Sequence, residues 1–365
     1  MHSKNQHYLF IDGLRAVAFL MVLIHHMFYF FDLYPVFQRF YWLCAVIAEG
    51  RLGVDLFFII SGFLITGVII GSNDARSPNI WRFYQRRFFK IYPQYAICLV
   101  SCLFFPVFFS QIYAPAGSFY SFEINKLWPY LIFVQNYIFS NPFFEHAWSL
   151  AVEEHFYLVY PIIIGLIFKL TAEQHRINML KLSIGVLVAI VVGYRFVTHM
   201  TDPICVVTHA SSFQSTFMRI DALMVGCLIK LFQPFLERQS ARTAWLLFIT
   251  GSLAWISLFL RVIPIDRFYV TVAWLGAACF FIVGLSGLRF MNVCLECRPL
   301  RWIGKNSYGL YLWHYPLIFL MAPLANVLPS GVLILVYLTA VFFFGAGSTA
   351  TIEYLSLKFR DRVCP

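Results

Sequence analysis

Ten stretches of this chain each run apolar for about the ~20 residues that a helix needs to cross the hydrocarbon of a bilayer. They lie near 14–31, 52–70, 91–112, 147–168, 180–198, 211–232, 243–263, 267–288, 306–326 and 330–352. Of 365 residues, 61% are hydrophobic and only 12% charged, against roughly 25% charged in soluble domains. A water-soluble fold of this size cannot hide that much apolar surface, which leaves the bilayer as solvent. In lipid every backbone N–H and C=O must be satisfied within the protein, and for spans of this length that means helices. The expected fold class is therefore all-α and polytopic, with about ten transmembrane helices. A shorter apolar piece, 127–139, is interrupted by Pro129 and Asn136 and reads as a re-entrant or surface segment. Ten is an even number, so both termini are expected on one side.

The formal charge of +10 invites a nucleic-acid reading, but topology explains it. With the N-terminus inside, 19 of the 27 Lys and Arg residues fall on the inner side: Lys4, Arg76, Arg82, Arg86, Arg87, Lys90, Lys169, Arg176, Lys181, Lys230, Arg238, Arg242, Arg289, Arg298, Arg301, Lys305, Lys358, Arg360 and Arg362. Arg39, Arg51, Lys126, Arg261 and Arg267 fall outside, and Arg15, Arg195 and Arg219 lie in or at the edge of spans. This is the bias that the positive-inside rule requires, and it predicts cytoplasmic termini. No nucleic-acid partner is expected; membrane lipid is. The many Phe, Tyr and Trp residues supply lipid-facing bulk and interfacial belts.

The polar start, Met1 to His7, and the charged first apolar run give no cleavable signal. No Gly-, Ser- or Pro-rich linker and no internal repeat divides the chain. The expectation is one integral-membrane domain, 1–365, with no soluble domain attached. Most of the nine cysteines sit inside apolar runs, and Cys294-x-x-Cys297 has no second pair near it. Neither a disulfide framework nor a metal is expected.

Ionisable residues inside spans cost at least ~2.5–3.5 kcal/mol each on insertion scales and point to function by default. His26 follows Arg15 by eleven residues, which is about 16 Å along a helix and about 20° from the same face. His25 is turned well away from that face. Asp55 enters the second span from outside. Glu153 and Glu154 do so in the fourth, which follows His146, Trp148 and Ser149; His146 and Glu153, seven apart, share a face if that helix begins early enough. Arg219 and Asp221 enter in the sixth. Carboxylates from three helices can thus reach the depth of His26, and a histidine among carboxylates suits a general base. Taken singly, each residue is equally explained by hydrogen bonding between helices, and Asp221 by pairing with Arg219. A common depth for all of them favours a functional layer. The basic segment Arg82-Phe83-Tyr84-Gln85-Arg86-Arg87-Phe88-Phe89-Lys90 fits either anionic lipid or the phosphates of a cytoplasmic cofactor.

Six motifs in order then resemble the acyltransferase 3 family of membrane acyltransferases, which includes bacterial O-antigen and other polysaccharide O-acetyltransferases. They are Asp12-Gly13-Leu14-Arg15 with His26; Gly53-Val54-Asp55-Leu56-Phe57-Phe58 through Ser61-Gly62-Phe63; the basic segment ending Lys90-Ile91-Tyr92-Pro93; Trp148-Ser149-Leu150 through Glu153-Glu154; Arg219-Ile220-Asp221-Ala222-Leu223; and Tyr308-Gly309-Leu310-Tyr311-Leu312-Trp313-His314. The resemblance implies about ten helices with cytoplasmic termini in a bacterial inner membrane, and transfer of acetyl from cytoplasmic acetyl-CoA to an extracytoplasmic glycan such as lipopolysaccharide O-antigen.

It also implies that Arg15 and His26 are essential and that Arg82, Arg86, Arg87 and Lys90 hold the CoA phosphates. Lys90 stands where the family tends to have Arg, and His155 where Gln is usual. Glu153, with Glu154 beside it, is the carboxylate expected to orient His26. Asp12, Asp55, Trp148, Ser149, Arg219, Asp221 and His314 are expected to contact substrate or support the site. Many family members carry an extracytoplasmic hydrolase-like domain, so a separate extracytoplasmic partner is expected here. The rival readings are a transporter of a glycan or lipid-linked sugar, since buried charges mark transport paths too, and a non-catalytic scaffold.

Overall fold

The computed structural model describes residues 8–33, 39–71, 80–113, 127–138, 142–201, 214–260 and 268–363. Lys4, Arg76, Lys126, Arg261 and Arg267 of the charge count lie outside them, as does the last residue of the 127–139 segment. Among the described residues all regular structure is helical. The helices are α1 (Leu9–Phe30), α2 (Tyr41–Ala48), α3 (Leu52–Ile70), α4 (Ile80–Tyr113), α5 (Trp148–Leu170), α6 (Arg176–Thr201), α7 (Thr216–Leu231), α8 (Ala241–Phe259), α9 (Tyr269–Leu285), α10 (Arg289–Leu295), α11 (Arg298–Met321), α12 (Ser330–Ser348) and α13 (Tyr354–Val363). A described helix lies in each of the ten apolar runs.

Six stretches of the described chain are long and apolar enough to cross a membrane: Leu9–Phe30, Leu52–Ile70, Phe143–Leu170, Glu173–Val197, Ala241–Phe259 and Ser330–Val363. A seventh is the pair α9 and α10, if the two count as one broken span. They meet at 98°, across a break where Gly287 takes φ +73°, a backbone conformation that glycine adopts without a Cβ penalty. At 16 and 17 residues, α7 and α9 fall short of a full crossing on their own. The first turns of α11 carry Arg298, Arg301, Lys305 and Asn306, which dilute its apolar character.

The segment after Leu127 makes a single helical turn, Trp128–Leu131, and then reverses through Phe133 at φ +57°. Its buried amides tie it to its neighbours: Gln135 donates to the Ala147 carbonyl (2.9 Å), and Asn136 to Thr216 Oγ1 (3.0 Å) and the Gln214 carbonyl (3.3 Å). Irregular backbone of this kind is tolerated where protein covers it.

At the middle of the bundle α1 packs along α11 and α3, and α3 packs along α7. Small residues let the backbones approach closely, as in membrane bundles generally. A Cβ on Gly304 would collide with the Asp12 carbonyl of α1. One on Gly62 of α3 would meet the Leu223 carbonyl of α7, and one on Gly226 of α7 would meet the Ile59 carbonyl of α3. These contacts set the registers that place the ionisable residues.

Candidate active site

The intramembrane polar residues separate into three groups. The first lines a cavity of about 130 Å³ between α1, α3, α4, α5 and α11. Three cations, Arg15, Arg87 and Lys90, and two acids, Glu153 and Glu154, face it. Hydroxyls of Ser61, Ser149, Ser307, Tyr157, Tyr308 and Tyr311 continue the polar lining, and Phe57, Phe58, Leu64 and Leu150 supply apolar walls. Glu153 accepts hydrogen bonds from Ser61 (2.8 Å) and from Tyr157 (2.9 Å) one turn later. The Arg87 guanidinium lies over the Tyr157 ring at 4.8 Å, a cation–π contact. Lys90 reaches to 4.0 Å from Glu353.

Of the four basic residues expected to hold phosphates, only Arg87 and Lys90 face this cavity; Arg82 and Arg86 are exposed outside it. The expectation that Arg82 and Arg86 share this lining is corrected to Arg87 and Lys90 alone. Helical spacing is not the reason, since Arg86 is one turn, about 40°, from Lys90 around α4; the packing of α4 against its neighbours decides it.

The second group is a cluster of imidazoles beyond Tyr311. Nδ1 of His26 lies 3.1 Å from Nε2 of His314. Nδ1 of His314 lies 2.5 Å from the Tyr311 carbonyl oxygen. His146 sits edge-on to His314, with ring centres 5.2 Å apart, and stacks on Tyr315 at 5.0 Å. Tyr315 in turn donates to Glu145 (3.3 Å). His314 and His146 are buried and His26 is half-buried. His25 points elsewhere, toward the Ile47 carbonyl on α2 (3.2 Å). Tyr311 joins the two groups: its ring faces the cavity, and its hydroxyl shares a hydrogen bond with Ser149 (2.7 Å) and donates to the His146 carbonyl (3.1 Å).

Two expectations change here. The imidazole partner of His26 is His314, not Glu153, whose carboxylate is engaged by Ser61 and Tyr157. His146 does not share a helix face with Glu153, because α5 begins at Trp148 and His146 belongs to the tighter turn Pro142–Ala147 before it.

The third group holds the bundle together. Arg219 donates to Asp55 (3.0 Å), joining α7 to α3. Asp221 accepts from Trp274 (2.7 Å) and pairs with Arg195, which also donates to Thr271 (3.1 Å). Arg219 and Asp221 therefore do not pair with each other, since residues two apart on a helix do not face each other. The Arg219 guanidinium also sits 5.6 Å from the Trp148 ring. Asp12 is buried where α1 meets α11, away from the cavity lining.

Sequence reasoning missed Tyr157, Tyr311, Ser61 and Arg195 as members of these groups. The i, i+4 spacing of Glu153 and Tyr157 and the i, i+3 spacing of Tyr311 and His314 are the signals that could have found two of them. Among the described residues no group of three or more His, Cys, Asp or Glu has the arrangement of a metal site.

The family described as "Acyltransferase domain" matches residues 8–352. The peptidoglycan O-acetyltransferase OatA of Listeria monocytogenes is 26% identical over 335 residues, covering 87% of this chain and 50% of that protein. The putative peptidoglycan O-acetyltransferase YrhL of Bacillus subtilis is 29% identical over 351 residues, covering 90% of this chain and 51% of YrhL. The O-acetyltransferase OatA of Staphylococcus aureus is 27% identical over 334 residues, covering 84% and 50%. The chain thus spans about half the length of these relatives. No solved structure matches it.

Proposed function

Because the chain belongs to the acyltransferase-domain family, we propose that it is an integral-membrane O-acetyltransferase acting on sugar hydroxyls outside the cytoplasm. One observation carries this reading. Three cations line one cavity together with Tyr311, and the Tyr311 carbonyl holds the imidazole paired with His26. Cations in a cavity with a base next to it suit a donor with an anionic head and a reactive tip.

The donor we propose is acetyl-CoA or another short acyl-CoA. Arg15, Arg87 and Lys90 fit its phosphates, since guanidinium and ammonium groups are the usual phosphate partners. The Glu153 carboxyl is taken up by Ser61 and Tyr157, which leaves the three cations of the cavity as the phosphate partners. The acyl–pantetheine arm then runs along Ser61, Tyr157 and Ser149 toward Tyr311. Ten crossings with cytoplasmic termini, the topology that the charge bias predicts, put α4's basic turns on the cytoplasmic side where acyl-CoA is made.

His26 acts as the general base. It takes the proton of the acceptor hydroxyl, whose oxygen attacks the thioester carbonyl; the C–O bond forms, the C–S bond breaks, and the departing thiolate takes the proton back. The names of the relatives bring peptidoglycan forward as acceptor beside lipopolysaccharide O-antigen, and both offer sugar hydroxyls at a bacterial inner membrane. A separate extracytoplasmic protein that receives or presents the glycan belongs to the same proposal.

The test is the acetyl content of envelope glycans, by mass spectrometry, from cells making equal membrane amounts of wild type, His26→Ala or His25→Ala. Acetylated sugar with wild type and His25→Ala but not with His26→Ala supports the reading; full acetylation with His26→Ala would falsify it. Release of free CoA from acetyl-CoA by the purified protein separates the enzyme from a glycan transporter, which needs no CoA.

A further inference from the structure

We propose that His314 is a positioning residue: it fixes the tautomer of His26 so that Nε2 of His26 carries the free lone pair. This deepens, and rests on, the reading of His26 as the base.

Three hydrogen-bonding positions in series fix the tautomer. A backbone carbonyl oxygen can only accept a hydrogen bond. Nδ1 of His314 lies 2.5 Å from the Tyr311 carbonyl, so in the neutral ring Nδ1 is the protonated nitrogen of His314. Its Nε2 is then an acceptor, and the only group it faces at hydrogen-bond distance among the described residues is Nδ1 of His26, at 3.1 Å. Nδ1 of His26 must therefore donate. In a neutral imidazole only one nitrogen carries the proton, which leaves the lone pair of His26 on Nε2. The hydrogen bond made by one ring nitrogen decides what the other can do.

The surroundings hold the relay in place. The His314 ring is fully buried and lies edge-on to Phe19 with centres 6.1 Å apart. The carbonyl of His314 itself accepts from Tyr337 (3.0 Å), which ties this turn of α11 to α12. The His26 ring lies edge-on to Tyr315 at 4.9 Å. The close approach of α11 to α1 at Gly304 sets the register that brings residues 26 and 314 together.

When the acceptor proton arrives at Nε2, His26 becomes an imidazolium whose Nδ1–H still donates to Nε2 of His314. That bond is now charge-assisted and stronger. His314 thus occupies the place that a carboxylate takes in a catalytic triad, but without bringing a negative charge into the membrane.

The experiment joins a structural readout to a functional one. Side-chain 15N resonances of labelled, purified protein report the tautomer of His26, assigned by their loss in His26→Ala. We expect an Nδ1–H, Nε2-lone-pair ring in wild type, conversion toward Nε2–H in His314→Ala, and retention in His314→Gln, whose amide oxygen can accept near the lost Nε2. In CoA release, His314→Ala should lower kcat by about 10²-fold or more, within the usual range for general-base effects, with KM for acetyl-CoA little changed. His314→Gln should stay within about tenfold of wild type, which a merely space-filling role for His314 does not predict. The Val22 carbonyl, one turn back on α1, is the competing acceptor for the His26 ring. A wild-type Nε2–H tautomer, or one indifferent to His314→Ala, overturns the proposal. So does a His314→Gln that is folded and as inactive as His314→Ala. If the tautomer shifts as expected while His26→Ala still transfers acetyl at the wild-type rate, the relay stands as structure and the reading of His26 as the base is what fails, taking the catalytic role of His314 with it.

Discussion

Arg86 and Arg87 are neighbours in the chain with opposite prospects. Arg87 faces the cavity and covers the Tyr157 ring, while Arg86 is exposed outside its lining. A hydrogen bond to a charged group is worth about 1.5–3 kcal/mol, and tenfold in affinity is about 1.4 kcal/mol. Arg87→Ala should therefore raise KM for acetyl-CoA by about tenfold or more, and Arg86→Ala by no more than about twofold. Steady-state CoA release measures both, and equal effects would point to a binding site outside the cavity. Lys90 lines the cavity with Arg87, so Lys90→Arg, which restores the bidentate fork, should leave KM unchanged or lower it. Glu153 is held by two hydroxyl donors; its work is at the cavity wall, and it does not reach His26.

At the scale of helices, α3 and α7 are joined in two ways: glycine contacts at Gly62 and Gly226, and the buried pair of Asp55 with Arg219. Removing one partner of a buried ion pair leaves an uncompensated charge, at a cost of about 3–5 kcal/mol. Asp55→Ala should show that cost as a marked fall in melting temperature in detergent micelles. The double variant Asp55→Ala with Arg219→Ala should recover part of it, because no lone charge remains; a double variant no better than the single one would show that the pair is not the source of the loss. Gly226→Val forces α7 away from the Ile59 carbonyl. Overpacking of this kind costs about 1–3 kcal/mol or more, and the same thermal measurement checks it. Because Asp221 is held by Arg195 and Trp274, α7 is gripped on two sides, which suits a 16-residue helix too short to rely on lipid alone.

For the whole molecule, the basic residues predict an orientation that single cysteines can read. In a cysteine-free background, Gln174→Cys, in the exposed turn after α5, should lie on the cytoplasmic side. Val327→Cys, in the exposed link between α11 and α12, should lie outside. A membrane-impermeant maleimide applied to intact cells should label Val327→Cys and spare Gln174→Cys until the cells are opened. Labelling of both, or of Gln174→Cys alone, would overturn the ten-crossing topology and with it the path from a cytoplasmic donor to an outer acceptor.

The sequence by itself determined that this protein is helical and built for a bilayer, because lipid leaves no other way to satisfy so many apolar backbone segments. It also marked Arg15, Arg87, Lys90, Glu153 and Glu154 of the cavity lining, since an ionisable group inside a span is costly enough to stand out, but not the hydroxyls of Ser61, Tyr157 and Tyr311 beside them. Helical periodicity separates His26 from His25, for side-chain direction about an axis depends only on spacing along the chain, but it leaves Arg86 beside Lys90, and only the cavity lining tells those two apart. What periodicity cannot do is say which other helix lies on that side. His26 meets His314 across 288 residues and Asp55 meets Arg219 across 164. Those partners follow from the register of α1 on α11 and of α3 on α7, set by glycines that let backbones touch. The tertiary structure alone therefore decided that His26 meets a histidine and that Glu153 and Glu154 line the cavity instead.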